Sequence, residues 1–231
     1  WRFVDAGDGK YYIQSKLGTV LDVTSASAAA GKNVQTYTFN QSTAQKWTLL
    51  ETEKTLYSIM GKTNVSVSQM VKFYKNKATV SYPYSNVSEA PTIEKFCQIY
   101  KAESEVEGVK AEVAFAQAMM ETGFLKFGGD VKKDQYNFAG IGAIGGGSSG
   151  AKFDSIRIGI RAHVQHLKAY ASKEALKQPV VDPRFQYVKR GSAEYVQWLG
   201  QKENPNGYGW ATAKNYGNNI VKLYILPMKK Y

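Results

Sequence analysis

The feature that most constrains this chain is a change in the period of its hydrophobic pattern near residue 50. Before that point, apolar residues come in short runs broken by turns. Tyr11, Tyr12 and Ile13 are followed by Lys16-Leu17-Gly18-Thr19, and then by Val20-Leu21-Asp22-Val23. Ala26–Gly31 is a loop of small residues. Val34, Thr36 and Thr38 alternate with Gln35, Tyr37 and Phe39, the two faces of one strand, and Trp47-Thr48-Leu49-Leu50 closes the segment. A period of two fits strands and cannot make a helical face. From about Leu56 the spacing becomes helical. Ser66 with Gln69 three residues on reads as a capped helix start, and Val80–Ala90 reads as a loop. Pro91 opens a helix carrying Ile93, Phe96, Cys97 and Tyr100. A third helix runs from about Lys110 to Glu121, with Val109, Val113, Ala116 and Met120 as its stripe. Glycines dominate from Gly123 to Gly150, predicting a strand pair or irregular lobe around Phe138–Phe153. Helix returns at Ile158–Ala171, at Ser192–Leu199 and at Ala213–Tyr224, where Pro227 ends it. The expected architecture is α+β, with an all-β segment over 1–50 and a mainly helical domain over 51–231.

The chain has 231 residues and a formal charge of +11. That charge favours a polyanionic partner: nucleic acid, an anionic membrane or an anionic cell wall. The basic residues are scattered pairs, such as Lys132–Lys133 and Lys229–Lys230, rather than one stripe, which argues against nucleic acid. No apolar run approaches the roughly 18 residues that a membrane span needs. The single cysteine, Cys97, excludes an intrachain disulfide and a cysteine zinc cluster, and its apolar setting reads as a buried small side chain. The chain opens at Trp1 without a methionine, as a processed or recombinant fragment would, so the lack of a signal peptide carries no information on location.

The stretch with most chemical content is Ala116–Gly129, AQAMMETGFLKFGG. Glu121 stands where the apolar helix gives way to a glycine turn, about 90° from the centre of the apolar stripe at 3.6 residues per turn. The negative end of the helix dipole and the nearby Phe124 and Phe127 both disfavour its ionised form. A carboxyl that keeps its proton near neutrality is what a general acid requires. The plainer alternative is a solvated boundary glutamate. Gly140-Ile141-Gly142-Ala143-Ile144-Gly145 spells G-x-G-x-x-G, but no acid follows about 20 residues on, so it reads as a pliable cleft wall rather than a cofactor site. His163 and His166 lie three apart, not the four of a helical zinc pair, and read as packing residues. No metal and no cofactor are expected. Tyr136, Phe138, Tyr208, Trp210 and Tyr216 cluster near these motifs.

Two resemblances extend this reading. Leu21-Asp22-Val23, the small-residue loop, Val34-Gln35-Thr36-Tyr37 and Gln45-Lys46-Trp47 resemble one repeat of a ricin-type β-trefoil lectin. Family members close a barrel from three repeats, which implies that this chain begins inside a longer protein. Their sugar sites use an aspartate at the position of Asp22, an aromatic at Tyr37 and an amide just before Q-x-W, where this chain has Ala44. Residues from about Leu56 to Pro227 resemble a glucosaminidase domain of glycoside hydrolase family 73. The carriers are AQAMMETGFLKFGG, Asn137-Phe138-Ala139-Gly140-Ile141-Gly142, RAHVQHLKAY at Arg161–Tyr170, and Gly209-Trp210-Ala211-Thr212 with Asn215-Tyr216.

That resemblance implies a lysozyme-like, mainly helical catalytic domain with a small glycine-rich β lobe. It implies cleavage of peptidoglycan glycan strands after N-acetylglucosamine, with the catalytic acid at Glu121. Asn137 is expected to offer an amide contact, and Tyr136, Phe138, Tyr208 and Trp210 sugar contacts. Where the family often has tyrosine this chain has Trp210, leaving Tyr208 and Tyr216 to supply a hydroxyl. No glutamate lies between Glu121 and Glu174, and the aspartates in that span are Asp130, Asp134 and Asp154. The second catalytic group is then the substrate's acetamido group or an aspartate, Asp154 first. The expected protein is a monomer that is secreted or wall-associated, of bacterial or phage origin, and bound to glycan strands and anionic wall polymers. The competing readings are a muramidase of the same fold, a non-catalytic wall-binding module and a nucleic-acid binder.

Overall fold

The computed structural model describes residues 1–29, 31–48, 56–143 and 150–231. The chain divides into two compact units, Trp1–Thr55 and Leu56–Tyr231. In the first, β1 (Arg2–Asp5), β2 (Lys10–Gln14), β3 (Val20–Val23) and β4 (Val34–Tyr37) form an antiparallel sheet in sequence order, and β5 (Trp47–Thr48) pairs with β2. The Q-x-W triplet has a structural role. The Gln45 amide donates to Asp22 Oδ2 at 3.1 Å and to the Thr38 carbonyl at 2.9 Å, and accepts from the Asn40 N–H at 3.0 Å. The Trp47 indole donates to the Leu21 carbonyl at 3.1 Å. Asp22 is buried, and its other oxygen accepts from Gln35 at 3.1 Å. Both carboxylate oxygens are therefore engaged by amides of the repeat itself.

The second unit is helical. α1 (Val67–Lys77) opens with the reciprocal Ser66–Gln69 capping box. α2 (Ile93–Glu107) is capped by Thr92 and ends at Gly108 in the left-handed region. α3 (Ala111–Thr122) stops at left-handed Gly123, and α4 (Ile156–Ala171) is capped by Ser155. Of the twelve residues of α3 only Met120 and Glu121 are not buried, so the expected single stripe is corrected to a helix enclosed on all sides. The C-terminal helix starts as α5 (Tyr216–Asn219), widens into a π-helical stretch at Ile220–Ile225 and closes with α6 (Leu226–Met228). Pro227 lies within that last turn rather than beyond the helix, at an early position where the missing N–H is unused. The stretch Ser192–Leu199 holds only a short 3-10 turn at Val196–Leu199.

Over the described residues the expected strand pair or irregular lobe takes the irregular form. Among the described residues of this unit there are isolated bridges but no strand, and residues 144–149 of the predicted lobe lie outside the described set. The Asn137 side chain does the pairing that a strand would have done. Its amide nitrogen donates to the carbonyls of Ile141 and Ala151, and its oxygen accepts from the N–H groups of Ala139 and Ile141. With no Cβ, Gly159 lets α4 lie directly against this turn, since a methyl there would stand 1.8 Å from the Tyr136 carbonyl oxygen.

Buried charges tie α2 to α4 and to the chain that follows α4. Glu103 accepts from Arg157 at 2.6 Å, Arg161 at 2.9 Å and Gln178 at 2.9 Å. Burial pushes its pKa up, and these three bonds outweigh burial and hold it below the usual carboxylate range. Lys168 and Glu107, both fully buried, meet at 2.9 Å, and Glu107 also accepts from the N–H groups of Lys177 and Gln178.

Candidate active site

α3 delivers Glu121 to a groove. The helix ends one residue later, and the chain doubles back through Gly123, Phe124 and Leu125, all with left-handed backbone, with Phe127 left-handed as well. The Thr122 hydroxyl ties the turn by donating to the Ala118 carbonyl and accepting from the Leu125 N–H. The returning chain forms the far wall of a cavity of about 280 Å³ lined by Glu121, Phe127, Asp130, Val131 and Gly140 among others. Glu121 is exposed, yet enough protein surrounds its carboxyl for burial to raise its pKa; the Tyr216 hydroxyl opposes that rise in part. Both observations fit a group reached by water from one side only, and the upward direction follows from that placement.

Behind Glu121 runs a buried chain of hydrogen bonds. The Tyr216 hydroxyl donates to Glu121 Oε1 in a short contact, and Gln117 Nε2 donates to the Tyr216 oxygen at 2.8 Å. Gln117 Oε1 meets His163 Nε2 at 2.9 Å, and His163 Nδ1 meets the Tyr100 hydroxyl at 3.1 Å. With the Gln117 amide oriented toward Tyr216, only one direction satisfies every member: His163 carries its proton on Nε2 and accepts from Tyr100 on Nδ1. Burial, with a smaller contribution from His166, pushes the His163 pKa down to about 3, so the ring is neutral in this chain. Each donor points toward the carboxyl, and such aligned bonds polarise one another. Gly217 fixes the last link, because a Cβ there would stand 1.9 Å from the Val196 carbonyl oxygen. Only glycine lets α5 press its backbone against that turn and bring Tyr216 under Glu121.

The other sequence-predicted residues divide. Trp210 is half-buried and lines a second cavity of about 240 Å³, with His166, Tyr170 and Arg184. Phe138 is fully buried and packs on Phe96 and Tyr84, which corrects its assignment as a sugar platform. Asn137 lines the Glu121 groove as expected, but it is fully buried with its amide engaged by the turn it organises, so it shapes the wall. Tyr136 is half-buried against Tyr84 in the core and belongs to the support of the lobe. Tyr208 is 40% exposed with Lys189 Nζ 3.9 Å above its ring, and it is not among the residues lining either cavity. Tyr216 is buried with its hydroxyl engaged on both sides, so it positions Glu121 instead of reaching a sugar. Asp154 is exposed just before the cap of α4 and is not among the residues of the Glu121 groove; Asp130 is. In the sequence Asp130 stands out only as one of three aspartates in its span. Sequence reasoning misses Gln117 and Tyr100, whose signal is a polar group at an otherwise apolar helical position. Among the described residues no group of three His, Cys, Asp or Glu could hold a metal ion, and Cys97 is buried with its thiol pKa raised by that burial.

Comparison with known proteins now decides the family. The glucosaminidase model, described as mannosyl-glycoprotein endo-beta-N-acetylglucosaminidase, matches residues 97–225, more than half of the chain and all of the Glu121 groove. The chain belongs to the glucosaminidase family. A ricin-type β-trefoil lectin-like domain precedes the glucosaminidase domain and matches residues 1–80. The last part of that match falls on α1 and its approach, in the helical unit. An uncharacterized protein of Borreliella burgdorferi is 46% identical over 132 residues, 57% of this chain and 61% of that relative. The aligned part thus spans about three fifths of the curated relative it matches. No helix among the described residues is long and apolar enough to cross a membrane.

Proposed function

We propose that this glucosaminidase-family chain hydrolyses the glycan strand of bacterial peptidoglycan at the N-acetylglucosaminyl-β-1,4-N-acetylmuramic acid bond, with Glu121 as general acid. One observation carries the reading: a carboxyl whose pKa is raised by burial, at the edge of a groove, held by the end of a buried hydrogen-bond chain. Glu121 gives its proton to the bridging oxygen as the bond to the anomeric carbon breaks. Tyr216 keeps the carboxyl oriented toward the groove. The charge on the sugar ring is met by the substrate's own acetamido group or by a carboxylate across the groove, and Asp130 replaces Asp154 as the protein's candidate for that role. The high positive charge holds the protein on an anionic wall, outside the cytoplasm, and this attachment weakens as salt rises.

The test is digestion of peptidoglycan, reduction of the products and identification of the reduced sugar. N-acetylglucosaminitol supports the proposal; reduced muramic acid would identify a muramidase. Glu121→Gln should lower turnover by about 10²- to 10⁴-fold, the usual contribution of a general acid. Equal clearing of walls by that variant and the parent would leave a non-catalytic binding module. Asp130→Asn separates the two second steps: turnover within about threefold of the parent assigns the acetamido group, and a loss on the order of a general acid–base effect assigns Asp130.

A further inference from the structure

The second cavity carries more polar chemistry than a neutral sugar requires. It shares Gly140 and Ala143 with the Glu121 groove, so the two hollows lie on either side of one turn. Trp210 packs edge-on against His166, with ring centroids 4.7 Å apart, and lies 5.8 Å from Tyr170. His166 is fixed by its Nδ1 contact of 2.7 Å with buried Asp182, while its Nε2 has no partner among the described residues. Arg184 stands at the mouth with its guanidinium 4.6 Å from the Tyr187 ring, and Lys189 sits on Tyr208 close by in sequence. Arg190 is different, because its guanidinium is turned back onto the carbonyls of Ser172 and Glu174. Neither Arg184 nor Lys189 pairs with a carboxylate among the described residues.

We propose that this cavity is a subsite for the carboxylate-bearing peptide attached to the N-acetylmuramoyl residue of the strand being cut. The inference rests on the peptidoglycan reading above and deepens it. A neutral pyranose would use Trp210 and Tyr170 and leave the cation idle. A planar guanidinium stacked on an aromatic ring is pre-oriented to present paired N–H donors to a planar carboxylate. The peptide is the anionic substituent that a strand in the adjoining groove brings along with its sugar. The imidazole, held by Asp182, adds one more hydrogen-bonding nitrogen inside the cavity.

The experiment uses the full chain carrying Glu121→Gln, which can bind without cutting. Tryptophan fluorescence is titrated with the N-acetylglucosaminyl-N-acetylmuramic acid disaccharide, its lactyl carboxylate capped as the neutral methylamide, and with the same disaccharide bearing L-Ala-D-Glu. The peptide-bearing ligand should bind about tenfold more tightly, and Arg184→Gln in the same background should erase that preference while leaving the bare disaccharide unchanged. Equal affinities, no binding of either ligand, or a preference that survives Arg184→Gln would overturn the proposal. So would a weakening of both ligands alike, because the cation would then serve the sugar. A glycerol-phosphate oligomer is the competing anion. If it binds with the Arg184 dependence and the peptide does not, the cavity reads phosphate and the peptide assignment falls. Hydrolysis is measured separately on the parent chain. Absent hydrolysis with an intact peptide preference would refute the enzymatic reading and leave the subsite standing.

Discussion

Replacing Tyr216 by phenylalanine removes one hydroxyl and tests the central link of the site. That hydroxyl donates to Glu121 and accepts from Gln117. Its bond favours the ionised form of Glu121 and opposes the effect of burial. Hydrogen bonds to charged groups contribute about 1.5–3 kcal/mol, and about 1.4 kcal/mol corresponds to one pKa unit. Because the Glu121 carboxyl meets water on one side, the lower end applies, and losing the bond lets burial raise the pKa further. A general acid works while protonated. The alkaline limb of the pH–rate profile should therefore move to higher pH in Tyr216→Phe. The rate at the optimum should fall, by about tenfold, because the carboxyl loses its orientation. Gln117 Nε2 is left buried without its acceptor, which costs about 1–3 kcal/mol of stability. The assay is clearing of peptidoglycan suspensions across pH, with thermal unfolding in parallel. An alkaline limb that stays in place or moves down would refute the reasoning, since Tyr216 would then not be donating to Glu121 in the working protein.

Other outcomes follow from the same contacts. A carboxyl whose pKa rises on folding costs stability at pH values above its unfolded pKa and costs nothing once both states are protonated. Glu121→Gln should thus raise the melting temperature near neutrality, with the gain vanishing as the pH falls through about 4; a variant that melts lower than the parent at pH 7 would contradict the raised pKa. Lys168→Met leaves Glu107 buried without its cation and should cost about 3 kcal/mol by denaturant unfolding. Gly217→Ala must move α5 off the Val196 carbonyl, so both stability and clearing activity should fall, and an unchanged activity would show that Tyr216 placement does not matter.

What was legible in the sequence depended on whether the cause was local. The Ser66–Gln69 cap was readable because both partners lie within one turn, and the first unit because its period is two. Glu121 was readable because a helix end, two phenylalanines and a glycine sit beside it in sequence. Its partners were not, because Tyr216 lies 95 residues away and His163 comes from another helix. Phe138 is not a sugar platform and Asn137 shapes the groove wall without a free amide, for a related reason. An aromatic and an amide at the edge of a glycine lobe suit a sugar site as well as they suit a turn, and only burial separates the two. Asp154 stands out in the sequence for its place at the end of the lobe. Asp130 reaches the groove because the chain reverses after Glu121, a path that no periodicity announces.

That reversal links strain to the site. Left-handed backbone costs roughly 1–2 kcal/mol per residue outside glycine, and Phe124, Leu125 and Phe127 all adopt it within one short turn. The turn persists because its side chains are held on every side. Leu125 is buried in the core, and Phe124 stacks on Tyr224 at 5.6 Å and packs on Phe73. The N–H groups of Phe124 and Phe127 bond back to Met119 and Thr122 at 2.8 Å each. Tyr224 comes from the π-helical stretch, so the same C-terminal segment that places Tyr216 under Glu121 also clamps the turn that walls the groove. A relaxed connection would carry the chain away from Glu121 and leave its carboxyl open on both sides. The strained path brings residues 129–131 back across from it, and with them the wall that gives the carboxyl its partial burial.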